Sequence, residues 1–422
     1  MPWAIYVLGF AIFAQGTSEF MLAGLLPEMA AELGVSVPTA GLLISAYALG
    51  MVAGAPVLAM ATLRLPRRTS LLAFLGVFVL MHVAGALTPG YEVLFATRLL
   101  GAIASAGFFG VAAVAAVDLV PENARGRAIA IVIGGITVST ILGVPGGTFL
   151  GQYLGWRSAF WTVALLCAVA LVGVAMALPG RSNAGPVPGL REELRSLSSL
   201  GLWIAYGTSA LTFSSMMATF SYLGTMLTGT TGLSEAWVPA VLALFGVGSL
   251  IGITIGGRVA DAHTFRTLTV GMAGVVLASS GIALGASYPV VVIALVPLLG
   301  GFGLATNPAV SVRVFAHLGE VRTLAGAMVT STINVGNTLA PWLGGLVISA
   351  GFGYPSAAWA GAGMALAALG MVALGAFVST AASSSRRPPA ALDAPPTPTP
   401  DSRHASSAGP QDRTKRSRAS RP

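Results

Sequence analysis

Charged residues punctuate this chain at intervals that leave helix-length apolar runs between them. The first run extends from about Trp3 to Leu26 and exceeds the ~20 apolar residues that cross a bilayer. Further runs lie between Glu32 and Arg64, between Arg68 and Glu92, and at about Glu92–Val117, Arg127–Leu150 and Trp156–Leu178. A polar stretch follows, Pro179 to Ser199, whose Pro, Gly, Ser and Arg content reads as a linker. Six more runs come after it, at about Leu200–Leu223, Ala236–Val259, Thr267–Ala286, Pro289–Val312, Ala325–Ser349 and Ser356–Ser379. Tight turns are expected at Ser287–Pro289 and Gly351–Pro355. The pattern predicts an all-α polytopic membrane protein with twelve transmembrane helices. From Ala381 the chain turns to Pro, Ser, Ala and Arg with few apolar residues, a composition that predicts disorder.

Composition agrees with the pattern. Apolar residues make up 55% of the chain and charged residues 9%, against about 25% charged in a soluble domain. The net charge of +8 invites a nucleic-acid reading until its placement is examined. All but two of the 22 Lys and Arg fall in alternate loops, the linker and the tail, so positive charge sets topology and places both termini in the cytoplasm. The two exceptions are Arg98, inside the fourth run, and Arg157, at the start of the sixth. Glu28, Glu32, Glu92 and Glu235 occupy the opposite loops. A lone cysteine, Cys167, excludes an internal disulfide and reads as packing. Nothing ahead of the first run resembles a basic signal-peptide segment.

The halves resemble one another. Gly155-Trp-Arg-Ser-Ala-Phe-Trp161 aligns with Gly353-Tyr-Pro-Ser-Ala-Ala-Trp359, and the arginine loops recur at nearly the same shift. Four segments are therefore expected: a six-helix half over 1–180, a cytoplasmic linker over 181–199, a second six-helix half over 200–379 and a cytoplasmic tail over 380–422. A duplicated six-helix unit is the architecture of a two-half transporter with a central site.

Glu19, in Gly16-Thr-Ser-Glu-Phe20, is the one carboxylate that cannot be placed near the end of a run. An acid at membrane depth costs several kcal/mol and marks a pathway or proton site by default. A structural carboxylate tied to a hydroxyl or an arginine is the alternative. Arg98 is the only cation within a run, and it either relays protons with Glu19 or bonds to backbone carbonyls. No P-loop, His-Glu-x-x-His helix or His/Cys cluster supports an enzyme or an ATP-driven pump. No metal site or other cofactor is expected, and transport would draw on the proton gradient alone.

With these features in hand, the chain resembles the major facilitator superfamily over about residues 1–379, specifically its twelve-helix drug:proton antiporters. Gly16–Phe20 followed by Gly24-Leu-Leu-Pro27 looks like the first helix of the bacterial efflux branch. Gly143-Val-Pro145-Gly-Gly147, then Gly151, is similar to the antiporter signature of the fifth helix, and Arg98 stands where the family carries its fourth-helix arginine. Gly257-Arg258-Val-Ala-Asp261 matches the family's loop signature. The first-half copy, Ala61-Thr-Leu-Arg64-Leu-Pro-Arg67-Arg68, keeps the arginines but lacks the aspartate, a gap that Asp118 could fill. Met1–Tyr6 and the Glu19 phrase look most like actinobacterial chloramphenicol exporters. The resemblance implies proton-coupled export across a bacterial plasma membrane by a protein that functions as a monomer. Export of another neutral solute such as a sugar or nucleoside, and secondary import, remain alternatives.

The resemblance also implies that Gly143, Pro145, Gly147 and Gly151 form a kinked, flat strip acting as a rocking surface between the halves. Asp261 and Arg258, with Asp118 and Arg125, are candidates for ion pairs closing the cytoplasmic side, with Glu320 and Arg322 as a weaker pair; solvated loop charge is the plain alternative. Polar or aromatic residues otherwise wasteful in lipid are candidates for a substrate cavity: Gln15, Tyr47, Phe108, Tyr222, Asn307, Asn334 and Asn337, with Phe109 and Tyr206. Asn334 and Asn337 share one face of the eleventh helix and suit hydroxyl or amide groups. His82 reads as packing or a hydrogen-bond filler. One acid and few cations favour a neutral, moderately apolar substrate, and the partners expected are that small molecule, protons and lipid.

Overall fold

The computed structural model describes residues 1–62, 65–178, 199–316 and 323–385. Eleven helical segments among these are long and apolar enough to cross a membrane. In chain order the first six spans are Trp3–Gly24, Val37–Ala61, Arg67–Leu87, Tyr91–Asp118, Glu122–Leu154 and Trp156–Ala177. The eighth to twelfth are Glu235–Val259, Thr264–Leu284, Pro289–Val314, Met328–Phe352 and Ser356–Val378. The seventh, Leu200–Ser221, is as long but less apolar. It buries Thr208, Ser209, Thr212, Ser214, Ser215, Thr219 and Ser221, so its polar atoms face protein rather than lipid. No strand occurs among the described residues.

The buried apolar side chains fall into three clusters. One cluster of buried apolar side chains draws on the first six spans, with Tyr222 and Ala357 its only members from later in the chain. Two further clusters draw on the last six spans, joined only by Ala23 and Val144 from earlier ones. The repeated phrases also share a backbone shape. Gly155 and Gly353 both take positive φ, 80° and 75°, which L-residues with a Cβ rarely adopt. In each copy the serine three residues on donates its N–H to that glycine's carbonyl, at 2.9 Å for Ser158 and 3.2 Å for Ser356. The 181–199 linker lies almost wholly outside the described residues, as does most of the tail. The last helix runs to Ser385.

Two helix breaks position the site. The first span is α-helical from Trp3 to Phe20, tightens into a 3₁₀ turn at Met21–Gly24, and restarts at Leu26 with Pro27 in its first turn. The seventh span breaks in the corresponding place, at Tyr222, and restarts at Leu223. Spans two and eleven then hold the halves together. Ser45 Oγ donates to the Thr338 carbonyl at 2.9 Å, and Ser331 Oγ to the Val52 carbonyl at 3.0 Å.

Candidate functional site

Glu19 sits one residue before the end of the first α-helix, at the break. It lies about 24 Å along the axis from Trp3 and about 8 Å from Gly24 at ~1.5 Å per residue. Its Oε1 accepts a hydrogen bond from Asn337 Nδ2 at 3.3 Å. That bond joins the two halves. Glu19 and Asn337 also line a small cavity of about 10 Å³ together with Phe20, Ile44, Ala48, Met217 and Ser221.

Behind the carboxylate lies a chain of polar groups whose direction is determined by their chemistry. Arg98 is 2% exposed and its Nη1 donates to Ser18 Oγ at 2.7 Å. Ser18 Oγ lies 2.6 Å from His82 Nε2, and His82 Nδ1 lies 2.9 Å from the Phe78 carbonyl. A carbonyl only accepts, so Nδ1 carries the imidazole proton and Nε2 accepts from the serine. The guanidinium therefore donates to the serine and the serine to a neutral imidazole. Arg98 also stacks over the Tyr47 ring at 4.3 Å, and Ser105 Oγ donates to Gln15 Oε1 at 2.6 Å beside it. Arg98 and Glu19 make no direct ion pair, although each is the other's charged neighbour. Arg98 Nε and Nη2 are buried with no hydrogen-bond partner among the described residues.

A duplicated bundle with an intramembrane carboxylate bonded across the halves narrows the field to carriers, and the sequence comparison decides among them. The family model of the Major Facilitator Superfamily matches residues 8–318. The chain belongs to the Major Facilitator Superfamily. It is 42% identical over 344 residues to the chloramphenicol resistance protein of Streptomyces lividans, covering 81% of this chain and 88% of that protein. It is 33% identical over 358 residues to the inner membrane transport protein YdhP of Escherichia coli K12, covering 83% and 90%. Among solved structures it matches a bacterial homologue of the human lysosomal transporter Spinster, in an inward-facing and unoccupied conformation, with a TM-score of 0.69 at 18% identity over 92% of this chain and 100% of that one. The human organic anion transporter MFSD10 gives 0.62, also at 18%, over 88% and 98%. At such identity these two show the fold alone. The chain is a multi-pass membrane transporter.

The other expected residues divide. Gln15, Tyr47 and Asn337 gather around Glu19 and Arg98. Asn334 is buried on the same helix but donates to its own Thr330 carbonyl at 3.0 Å. Phe108 is wholly buried in the core of the first half, and Tyr206 packs in the third cluster, away from Glu19. Tyr222 donates to the Pro341 carbonyl at 2.8 Å and packs against Gly344 and Gly345, bracing the seventh span's break. Asn307 is partly buried on the tenth span, where its carbonyl accepts from Ser311 Oγ at 3.1 Å. Phe109 is partly buried against the first-half core.

The glycine strip of this transporter's fifth span has a different partner from the one expected. A Cβ on Gly143 would overlap Thr17, one on Gly147 would meet Met21 Cβ at 3.1 Å, and one on Gly151 would overlap Leu25. All three partners belong to the first span, in the same half. The strip clamps the helix that carries Glu19, while the same fifth span also meets the eighth across the halves, where a Cβ on Gly246 would overlap Thr140 and Ile141. Pro145 follows a π-helical turn at Ser139–Gly143, which absorbs the backbone bond the proline cannot make.

The expected closing charges are not brought together. Asp118 pairs with Arg67, within the first half. Arg125 pairs with Glu122 at 3.1 Å, because three residues of a helical turn bring them alongside. Arg258 and Asp261 are exposed and form no ion pair with another described residue; Glu320 and Arg322 lie outside the described residues. On the opposite face Arg157 pairs with Glu32, and Gln152 Nε2 donates to the Glu235 carbonyl at 3.1 Å. Burial, opposed by a backbone hydrogen bond and helped by the charge of Glu235, holds the Glu28 carboxyl there above its ordinary range. The residues that sequence reasoning undervalued are Ser18 and His82. The signal was a lone imidazole in an otherwise apolar run.

Proposed function

We propose that this transporter exports a small, neutral, moderately apolar drug in exchange for protons, with chloramphenicol as the substrate to try first. The observation that carries the reading is the Glu19–Asn337 hydrogen bond. A carboxylate bonded across two halves that must separate during alternating access links its protonation to the conformational cycle. An amide donor holds an ionised carboxylate more strongly than a protonated one, so proton binding loosens the contact at the site. Arg98, placed by Ser18 and His82, supplies compensating positive charge without neutralising Glu19 in a direct pair. The cavity holds no more than about one water in this conformation; Glu19 is the one acid at its wall, which suits a neutral ligand once the halves part. The S. lividans relative's name supports the drug class, and the proton gradient supplies the drive with no cofactor.

In this reading both termini and the arginine-rich loops lie in the cytoplasm of a bacterium, the chain works as a monomer in the plasma membrane, and Glu28 and Glu235 face outward. Arg98→Lys keeps the charge but loses the planar stack over Tyr47; normal coupling in that variant would argue against a role for Arg98. In everted vesicles acidified inside, added chloramphenicol should release protons from the lumen, and Glu19→Gln should abolish the release. Chloramphenicol that moves with protons in the same direction would make the protein a symporter and overturn the proposal.

A further inference from the structure

The second half carries a groove whose lining includes none of the residues around Glu19. It lies between the eighth and ninth spans with the tenth as its floor, and its volume is about 550 Å³. Its walls include Ile251, Ile255 and Val270, each more than half exposed. The groove therefore opens toward the hydrocarbon of the bilayer rather than toward Glu19. Close packing of the eighth span on the tenth sets its depth: a Cβ on Gly252 or Gly256 would overlap the carbonyl of Gly301 or Ala305. The eighth and ninth spans touch each other at few positions, which leaves the cleft between them open.

Its length and its polarity point to one occupant. Along the eighth span the lining runs from Gly248 to Val259, roughly 16 Å at ~1.5 Å per residue. Half of a ~30 Å hydrocarbon core is about 15 Å, so the groove matches a single leaflet. The polar lining is confined to one end, where His263, Arg266 and Thr267 stand at the start of the ninth span. Arg266 is exposed and makes no ion pair with another described residue. Asp261, the acid of this loop, and Arg258 lie outside the lining.

We propose that this groove binds an anionic glycerophospholipid of the leaflet on the arginine-rich face, with its phosphate at Arg266 and His263 and an acyl chain along the walls. A second copy of this chain would not need a basic group at one end or a one-leaflet length. The assignment to the cytoplasmic leaflet rests on the topology proposed above, while the binding itself does not depend on transport. Native mass spectrometry of the purified full-length chain, titrated with phosphatidylglycerol or phosphatidylethanolamine in detergent, tests it. Wild type should retain phosphatidylglycerol in preference to phosphatidylethanolamine. Arg266→Gln should weaken phosphatidylglycerol binding about fivefold, the ~1 kcal/mol a basic residue contributes near an anionic surface. Arg258→Gln, outside the lining, should leave it unchanged, and Val270→Trp, which fills the cleft, should reduce retention of both lipids. Equal retention of the two lipids by wild type, or an unchanged affinity in Arg266→Gln, would overturn the proposal. So would a dimer that excludes lipid.

Discussion

Removing the amide of Asn337 probes the link between protonation and conformation. The bond to Glu19 is 3.3 Å long, at the weak end for its type. Hydrogen bonds to a charged group contribute about 1.5–3 kcal/mol and neutral ones about 0.5–1.5. Taking the low end of each, Asn337→Ala costs the contact between halves about 1.5 kcal/mol when Glu19 is ionised and about 0.5 when it is protonated. The ratio of conformers should move about tenfold at alkaline pH and about twofold at acid pH, toward the state in which the halves part at this point. Gly126 and Ala262 are exposed on the arginine-rich face, one in each half, and take spin labels as cysteines, while the native Cys167 is buried. Double electron–electron resonance between them in nanodiscs, across a pH series, reads the conformer ratio. A shift of the same size at every pH, or none, would refute the reasoning, because the bond would then not sense the charge on Glu19.

Three further outcomes follow from the packing. Gly143→Leu should abolish transport and destabilise the chain by about 1–3 kcal/mol through overpacking against the first span, whereas Gly146→Leu, where a Cβ meets nothing within 4 Å, should leave transport and melting temperature near wild type. His82→Leu takes away the acceptor for Ser18 and should cost about 1–3 kcal/mol in stability along with proton coupling, while His82→Gln, which can accept and donate at similar points, should restore part of both in proteoliposome assays. Burial holds the Glu28 carboxyl above its ordinary value of 4.5, so the fold favours its protonated form. The stability this gives is complete below that value and is lost as pH rises through the folded-state pKa. Glu28→Gln should therefore raise the melting temperature at pH 7 and leave it unchanged near pH 4.

The spans, and Glu19 and Arg98 as charged residues inside them, are legible because they depend on patterns along the chain. Apolar run length, loop arginines and a lone buried acid are local facts. What required the structure was pairing. Gly143, Gly147 and Gly151 announce a close approach, but nothing in their spacing says whether the partner is the first span or the opposite half. Asp118 could be expected to replace the missing loop aspartate, yet only the fold shows Arg67 as its partner and turns Arg125 toward Glu122. His82 reads as filler because Ser18, 64 residues away, is brought to it only when the first and third spans both pack on the sixth. Phe108 and Tyr206 lie in core clusters, a placement that aromatic rings in a span share with cavity residues along the sequence.

The central claim, that Glu19 carries the exchanged proton, is tested most directly by proton release from everted vesicles holding either wild type or Glu19→Gln. The amide keeps the shape and an oxygen for Asn337 but cannot ionise, so the variant should fold, melt within a few degrees of wild type and still bind chloramphenicol. Adding the drug to acidified vesicles should release protons with wild type and release none with Glu19→Gln. Undiminished release from the variant would contradict the account.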